Sequence, residues 1–152
     1  MNATADFTLR PARRADLPAV ERLLTDAGLP LAGVADALDT FIVAESERSI
    51  VGVAGLELCE TNALLRSVAV ASEWRSRGLG RELVTHLIGE AEARGLDGLY
   101  LLTTTAERYF PGFGFRAVSR ADVPADVRET EEFRSACPAS AAVMALPLAG
   151  RR

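Results

Sequence analysis

The chain has 152 residues, 49% of them apolar and 25% charged, with a net charge of -4. That length suits one domain around one core, and no apolar run approaches the roughly twenty residues that a membrane span needs. The arginines are dispersed, which argues against nucleic acid as the main partner, Met1 to Asp16 contains no apolar signal core, and Cys59 and Cys137 are too few for a disulfide framework, so a cytoplasmic protein with a small ligand is expected.

In chain order, Phe7 to Pro11 reads as a short strand. Asp16-Leu17-Pro18 then places an N-cap ahead of Ala19 to Leu24, with Gly28 as the stop. Leu31 to Leu38 suits a second short helix. Three apolar runs without helical period follow, Thr40 to Glu45, Ile50 to Leu58 and Ala63 to Val70, and read as an antiparallel meander. Gly78 to Arg94 is the longest helical pattern, with Leu79, Leu83 and Leu87 beside Val84, Ile88 and Ala91, and Gly95 ends it. Leu99 to Leu102 is a strand running into Thr103-Thr104-Thr105, whose hydroxyls suit a cap for a helix starting near Ala106 and ending before Pro111. Glu129 to Cys137 is predicted helical, Ala142 to Leu146 a last strand, and the tail after Leu148 loose. Hairpin-linked strands followed by strands linked through helices give a mixed α/β sheet.

Strand, loop and helix meet at Arg75-Ser76-Arg77-Gly78-Leu79-Gly80. The first four N-H groups of a helix lack intrahelical partners, and the macrodipole favours an anion there by about 0.3 to 1 kcal/mol. Two glycines keep side chains out of the way of a phosphate. The spacing is too short for a dinucleotide fingerprint, and the Lys-Ser/Thr ending of a P-loop is missing.

With this loop the sequence resembles the GCN5-related N-acetyltransferase (GNAT) superfamily, whose acetyl-CoA signature Gln/Arg-x-x-Gly-x-Gly/Ala is matched by Arg75, Gly78 and Gly80. The strand Leu65 to Val70, the Leu83-Val84 helix, and Ala106 with Phe110 ahead of Gly114-Phe115 extend the likeness over nearly the whole chain. Gly55-Leu56-Glu57, Leu64 to Ser67, Leu101 to Glu107 and Phe133 to Ala141 look more narrowly like the arsenic-resistance N-acetyltransferases of that superfamily. The resemblance implies one N-acetyltransferase domain over residues 1–152. Its α/β (α+β) GNAT fold would have a mixed, mostly antiparallel central sheet of six to seven strands, flanked by about four helices and splayed at the acetyl-CoA site. The implied activity is acetyl transfer from acetyl-CoA to a small, amino-acid-like amine, including an arsenic- or phosphorus-bearing analogue in a resistance role. A non-catalytic acyl-CoA-binding domain and a protein N-acetyltransferase are the alternatives. Superfamily members often pair, so a homodimer is one expectation; no membrane partner is expected.

The resemblance further implies that the backbone from Arg75 through Ser76, Arg77, Gly78, Leu79 and Gly80 to Arg81 holds pyrophosphate, and that Val68 and Val70 pair with the pantetheine arm like an added strand. Thr103 and Thr104, with Thr105, either contact the cofactor or cap the following helix. Acetyl transfer needs a neutral amine, a donor aimed at the oxyanion and a proton for the thiolate. The Val70 N-H is the chosen donor, and Glu57 the chosen base, with Glu60 behind it. The superfamily's acid tyrosine position is taken by Phe110, with Tyr109 about 100° away around a helix. Without such an acid, water protonates the thiolate. Arg66, a guanidinium inside an apolar strand, either holds a substrate anion or pairs with Glu57; Arg128 and Arg134 are weaker anion candidates. His86 reads as surface, Cys59 and Cys137 as small hydrophobes and Trp74 as a packing anchor. With no His/Cys/Asp cluster at ligand spacing, no metal is expected.

Overall fold

The computed structural model describes residues 6–130, 132–136 and 141–148. Seven strands form one sheet in the order β1-β2-β3-β4-β5-β7-β6. β1 (Thr8–Pro11), β2 (Phe41–Ser46), β3 (Ser49–Leu58) and β4 (Asn62–Val70) are the antiparallel meander read from the sequence. β5 (Gly98–Thr103) joins β4 in parallel, and β7 (Ala142–Pro147) lies antiparallel between β5 and the short β6 (Arg116–Val118).

Helix α2 (Leu79–Ala93) makes the crossover from β4 to β5. Its Leu79, Leu83, Val84, Leu87, Ile88 and Ala91 share one stripe and enter the largest apolar cluster with Ile42, Leu56, Leu65 and Leu99. Each such leucine, fully buried, contributes about 1.5 to 3 kcal/mol of transfer free energy. The other face of the sheet carries two smaller clusters. Helix α1 (Leu17–Asp26) packs Val20 and Leu24 on Phe41, Val43, Val53 and Ala69, while Val123 and Val127 of the later chain pack on Leu64 and Val143. His86 is exposed on α2, as read.

Several local expectations give way to tertiary structure. Asp16 precedes α1 but does not cap it; its carboxylate accepts from Arg10 at 2.8 and 2.9 Å and from the Arg13 N-H at 2.7 Å, and the Arg10 pairing holds its pKa below the usual carboxylate range. Residues 31–38 are turns ending in the 3-10 turn Leu38–Thr40, because Gly33 adopts φ +79°. No α-helix starts at Ala106. The chain there makes turns and a 3-10 turn, Phe110–Phe113, which includes Pro111 and ends at Gly114 with φ +104°. Of the helix expected over Glu129 to Cys137, the described residues form a π-helical turn, Glu132–Ala136, and a short α3 (Ala125–Arg128), led in by Pro124, lies ahead of it. The Thr130 hydroxyl donates to Val127 O at 2.8 Å and so takes the carbonyl that α-helical continuation would use. Cys137, Pro138 and the tail beyond Leu148 lie outside the described residues. β6 was not anticipated; three residues are too few for an alternation to register.

Phe41 lies flat across Gly55, its partner on β3, and a Cβ added to Gly55 would stand 2.2 Å from Phe41 Cε1. Gly55→Ala is therefore expected to lower stability by about 1 to 3 kcal/mol, and Phe41→Leu added to it to recover part of that loss, both read from urea unfolding curves.

Candidate active site

β4 and β5 pair only over Asn62↔Gly98, Ala63↔Leu99 and Leu64↔Tyr100. Beyond Leu64 the two strands part, and a cleft of about 600 Å³ opens between them. Opposite, where β4 meets β3, Val53 faces Ala69 and Gly55 faces Arg66, so Ser67 and Val68 share the single partner position of Ala54. This is a β-bulge, and Ser67 takes φ +62° in it, a left-handed conformation a serine adopts at a cost of about 1 to 2 kcal/mol. The extra residue shifts the alternation. Leu64 and Arg66 point away from α2, yet Val68 and Val70 pack toward the α2 cluster and Ala69 toward α1.

The end of β4 presents an open edge. The Ala71 N-H donates to Val51 O at 2.8 Å, so the ladder alternation turns the N-H and C=O of Val70 away from β3. Val70 O accepts from Arg75 Nε at 3.3 Å, and both residues line the cleft. The loop then climbs through Ser76 at φ +66° and Gly78 at φ +84° into Leu79, with no side chain capping the helix. Arg77 is stacked 4.8 Å over Trp74, which meets Phe7 edge-on, and Arg81 lies 5.3 Å over Phe113, so aromatic contacts hold the loop as expected of Trp74. Nothing stands within 4 Å of a Cβ built on Gly78, while one on Gly80 would meet Tyr109 Oη at 3.4 Å and Val70 Cγ2 at 3.8 Å. Gly80 thus brings the helix start close to both the open strand and Tyr109.

Across the cleft, Thr103 Oγ1 accepts from the N-H groups of Thr105 at 3.3 Å and Ala106 at 2.9 Å, closing a turn where a helix cap was expected, and Thr103, Thr104 and Thr105 all line the wall. Tyr109 and Phe110 line it as well. Their expected helical separation does not apply, since that segment is a turn, and the two rings sit edge to face with centroids 5.2 Å apart. Burial raises the pKa of the Tyr109 phenol above its ordinary value, which Arg81 only partly offsets, so it keeps its proton at neutral pH.

The other end of the cleft is lined by Gly28, Leu29, Pro30, Arg66, Ser67, Glu132 and Ala141. Arg66, 2% exposed, does pair with Glu57: Nη1 to Oε1 is 2.9 Å. Its Nε donates to Ser67 Oγ at 3.1 Å and lies 2.9 Å from Glu132 Oε1. The Nη2 nitrogen is buried with no hydrogen-bond partner among the described residues. Glu57 is not brought to the cleft lining. Its carboxylate is on Arg66, under Gly33, where an added Cβ would come within 3.1 Å of Arg66 Nη1. Glu60, Arg128 and Arg134 are not among the described lining residues either. Cys59 packs beside Phe133, its thiol pushed up to about 12 by burial and then by Asp126 and Glu57, which leaves it unreactive.

Glu132, Leu29 and Pro30 were missed from the sequence. Glu132 belongs to a segment with no clear period, and it reaches the cleft only because Phe133 is seated in the cluster with Leu64, Val123 and Val127. No helix among the described residues is long and apolar enough to cross a membrane, and no group of three or more His, Cys, Asp or Glu gathers among them.

The acetyltransferase (GNAT) domain model matches residues 37–117. An amino-acid acetyltransferase of Pseudomonas fluorescens is 34% identical over 90 residues, 58% of this chain and 21% of that protein. A Neisseria meningitidis protein of the same description is 26% identical over 140 residues, 86% of this chain and 32% of its own. The chain thus spans about a fifth to a third of the length of these relatives. Among solved structures, N-acetylglutamate synthase from Neisseria gonorrhoeae, complexed with coenzyme A and N-acetyl-glutamate, superposes with TM-score 0.81 at 22% identity over 95% of this chain and 35% of that one. Rv2747 from Mycobacterium tuberculosis, in complex with CoA and NLQ, gives TM-score 0.79 at 24% identity over 93% and 99%. At these identities the superpositions establish the fold, including the mixed seven-stranded sheet.

Arg66 is the only cation within hydrogen-bond distance of Glu57 in the described ion pairs. Arg66→Met, which strands the buried Glu132 and the half-buried Glu57, is expected to cost about 3 to 5 kcal/mol in urea unfolding, and adding Glu57→Gln and Glu132→Gln to recover most of it.

Proposed function

The chain belongs to the acetyltransferase (GNAT) family, and from that premise we propose that it is a single-domain enzyme transferring acetyl from acetyl-CoA to the amino group of a small, amino-acid-like acceptor. The observation that carries this is the parting of β4 and β5 beside a helix start, which joins an anion cradle to an unpaired strand edge in one cleft.

The residues fit the cosubstrate. N-H groups from Arg75 to Arg81 suit a pyrophosphate, with Gly78 and Gly80 bare of side chains and Arg75, Arg77 and Arg81 beside them. Val68 and Val70 offer main-chain partners to an extended arm, for which Arg75 would have to release Val70 O. Thr103 and Thr104 contact it from the opposite wall. When bound, acetyl-CoA supplies an acyl group already activated as a thioester.

The outward Val70 N-H is a rigid donor for the negative charge that develops on the transferred carbonyl oxygen. Removal of a comparable donor costs about 2.7 to 4 kcal/mol in other enzymes. Tyr109, protonated and facing the start of α2, gives the leaving thiolate its proton from one residue before the usual position. Glu57 orients Arg66 by pairing with it, and in this reading its part in taking the amine's proton would run through water. Arg66, whose Nη2 meets no acceptor among the described residues, suits an anionic group on the acceptor.

The amino-acid acetyltransferases among the relatives support an amino acid as the acceptor class. An amino-acid analogue bearing arsenic or phosphorus is the finer reading, supported only by the sequence stretches that resemble resistance enzymes. A homodimer in the cytoplasm completes the proposal.

Incubation with acetyl-CoA and a panel of amino acids, including arsenic- and phosphorus-bearing analogues, is expected to release thiol with at least one of them. Normal CoA binding without turnover on any amine would leave only a binding domain. Tyr109→Phe is expected to lower kcat about 100-fold with CoA affinity unchanged, measured by thiol release and calorimetry; an unchanged kcat would assign the proton to water.

A further inference from the structure

The function above leaves one buried carboxylate of the cleft without a task. Glu132 is 5% exposed, lines the acceptor end beside Arg66, and belongs to no motif of the cosubstrate site. Its position is tightly determined. The Thr130 hydroxyl donates to Val127 O and accepts from the Phe133 N-H at 3.2 Å, and the Arg134 N-H donates to Thr130 O at 3.0 Å, which fixes the first turn of the π-helical segment. Phe133 is packed against Leu64 and Val143 and carries Arg120 5.1 Å over its ring. At the far end Asp126 accepts from the N-H groups of Thr61 and Asn62 at 3.0 and 3.2 Å and from the Asn62 side chain, which ties α3 to the start of β4. The segment is thus docked at both ends, and between them it presents Glu132 to the cleft next to Arg66, whose Nη2 has no hydrogen-bond partner among the described residues.

We propose that Glu132 receives the acceptor's amino group while Arg66 Nη2 receives its carboxylate or equivalent oxyanion, so that the acceptor is recognised as a zwitterionic α-amino acid. This rests on the acetyltransferase function above and names its acceptor class. A carboxylate and a guanidinium donor side by side match the two charges that an α-amino acid carries on one carbon, and each gives a charge-assisted hydrogen bond in a site shielded from water. Glu57 cannot share this task from its place behind Arg66 and outside the lining. A plain amine would leave Arg66 Nη2 unpaired, and a peptide amino terminus lacks the α-carboxylate.

The test uses the full chain with the amino acid that it acetylates fastest. The wild type is expected to prefer that amino acid by about 10- to 100-fold in kcat/KM over both its carboxamide and the corresponding decarboxylated amine. Glu132→Gln is expected to raise KM for the amino acid about tenfold or more, with kcat changed much less and CoA affinity unaltered, and Glu132→Asp to restore part of it. Equal use of amino acid and carboxamide by the wild type, or an unchanged KM in a folded Glu132→Gln, overturns the proposal while the acetyltransferase stands. Wild-type inactivity toward every amine removes the function itself. The wild-type acceptor series decides the matter should Glu132→Gln fail to fold.

Discussion

The parting of β4 from β5 after three paired residues is the constraint on which the rest of the molecule depends. A strand inside a sheet normally spends both edges on ladders, and an unpaired buried N-H or C=O costs free energy. Here β4 keeps its ladder to β3 throughout, but the bulge at Ser67 bends it and reverses the side to which its later side chains point. Arg66, ahead of the inserted residue, stays with Leu64 on the face shared with α1 and α3, while Val68 and Val70, beyond it, turn toward α2 and the outer edge of Val70 is left open to a ligand.

The electrostatics of the cleft follow from that geometry. At one end stand a helix start and three arginines, two of them stacked on Trp74 and Phe113. At the other end a single buried guanidinium is held by Glu57 from β3, Ser67 from the bulge and Glu132 from the segment after β6. Bringing Arg66 out of water is expensive, and carboxylates from two separate parts of the chain offset that cost. The same contacts bind the C-terminal third to the meander, so the acceptor end of the cleft and the docking of that segment are one structural unit.

The meander, α1, α2 and the crossover to β5 were legible in the sequence because their patterns are long and their stops are glycines or turns. The cradle at Arg75 to Gly80 was legible for the same reason, with Gly78 at positive φ just ahead of Leu79. The bulge was not, since Leu64 to Val70 is nearly continuous in apolar character and hides the loss of alternation. The two helices read near Ala106 and over Glu129 to Cys137 give way to turns and short helical pieces set by Pro111, Gly114, Pro124 and the Thr130 hydroxyl. Glu132 follows from that failure: no local pattern marks it, and only the seating of Phe133 against Leu64 brings it to the cleft. Arg66 was conspicuous as a charge in an apolar strand, although its pairing with Glu57 became visible only with the register in hand.

Amide hydrogen exchange along β4, with and without acetyl-CoA, tests the open edge most directly. The Ala71 amide, bonded to Val51, is expected to be protected in both states, and the Val70 amide to exchange rapidly in the free protein and slow markedly once acetyl-CoA is present. A Val70 amide that is protected without the ligand, or that acetyl-CoA leaves unchanged, would contradict the account.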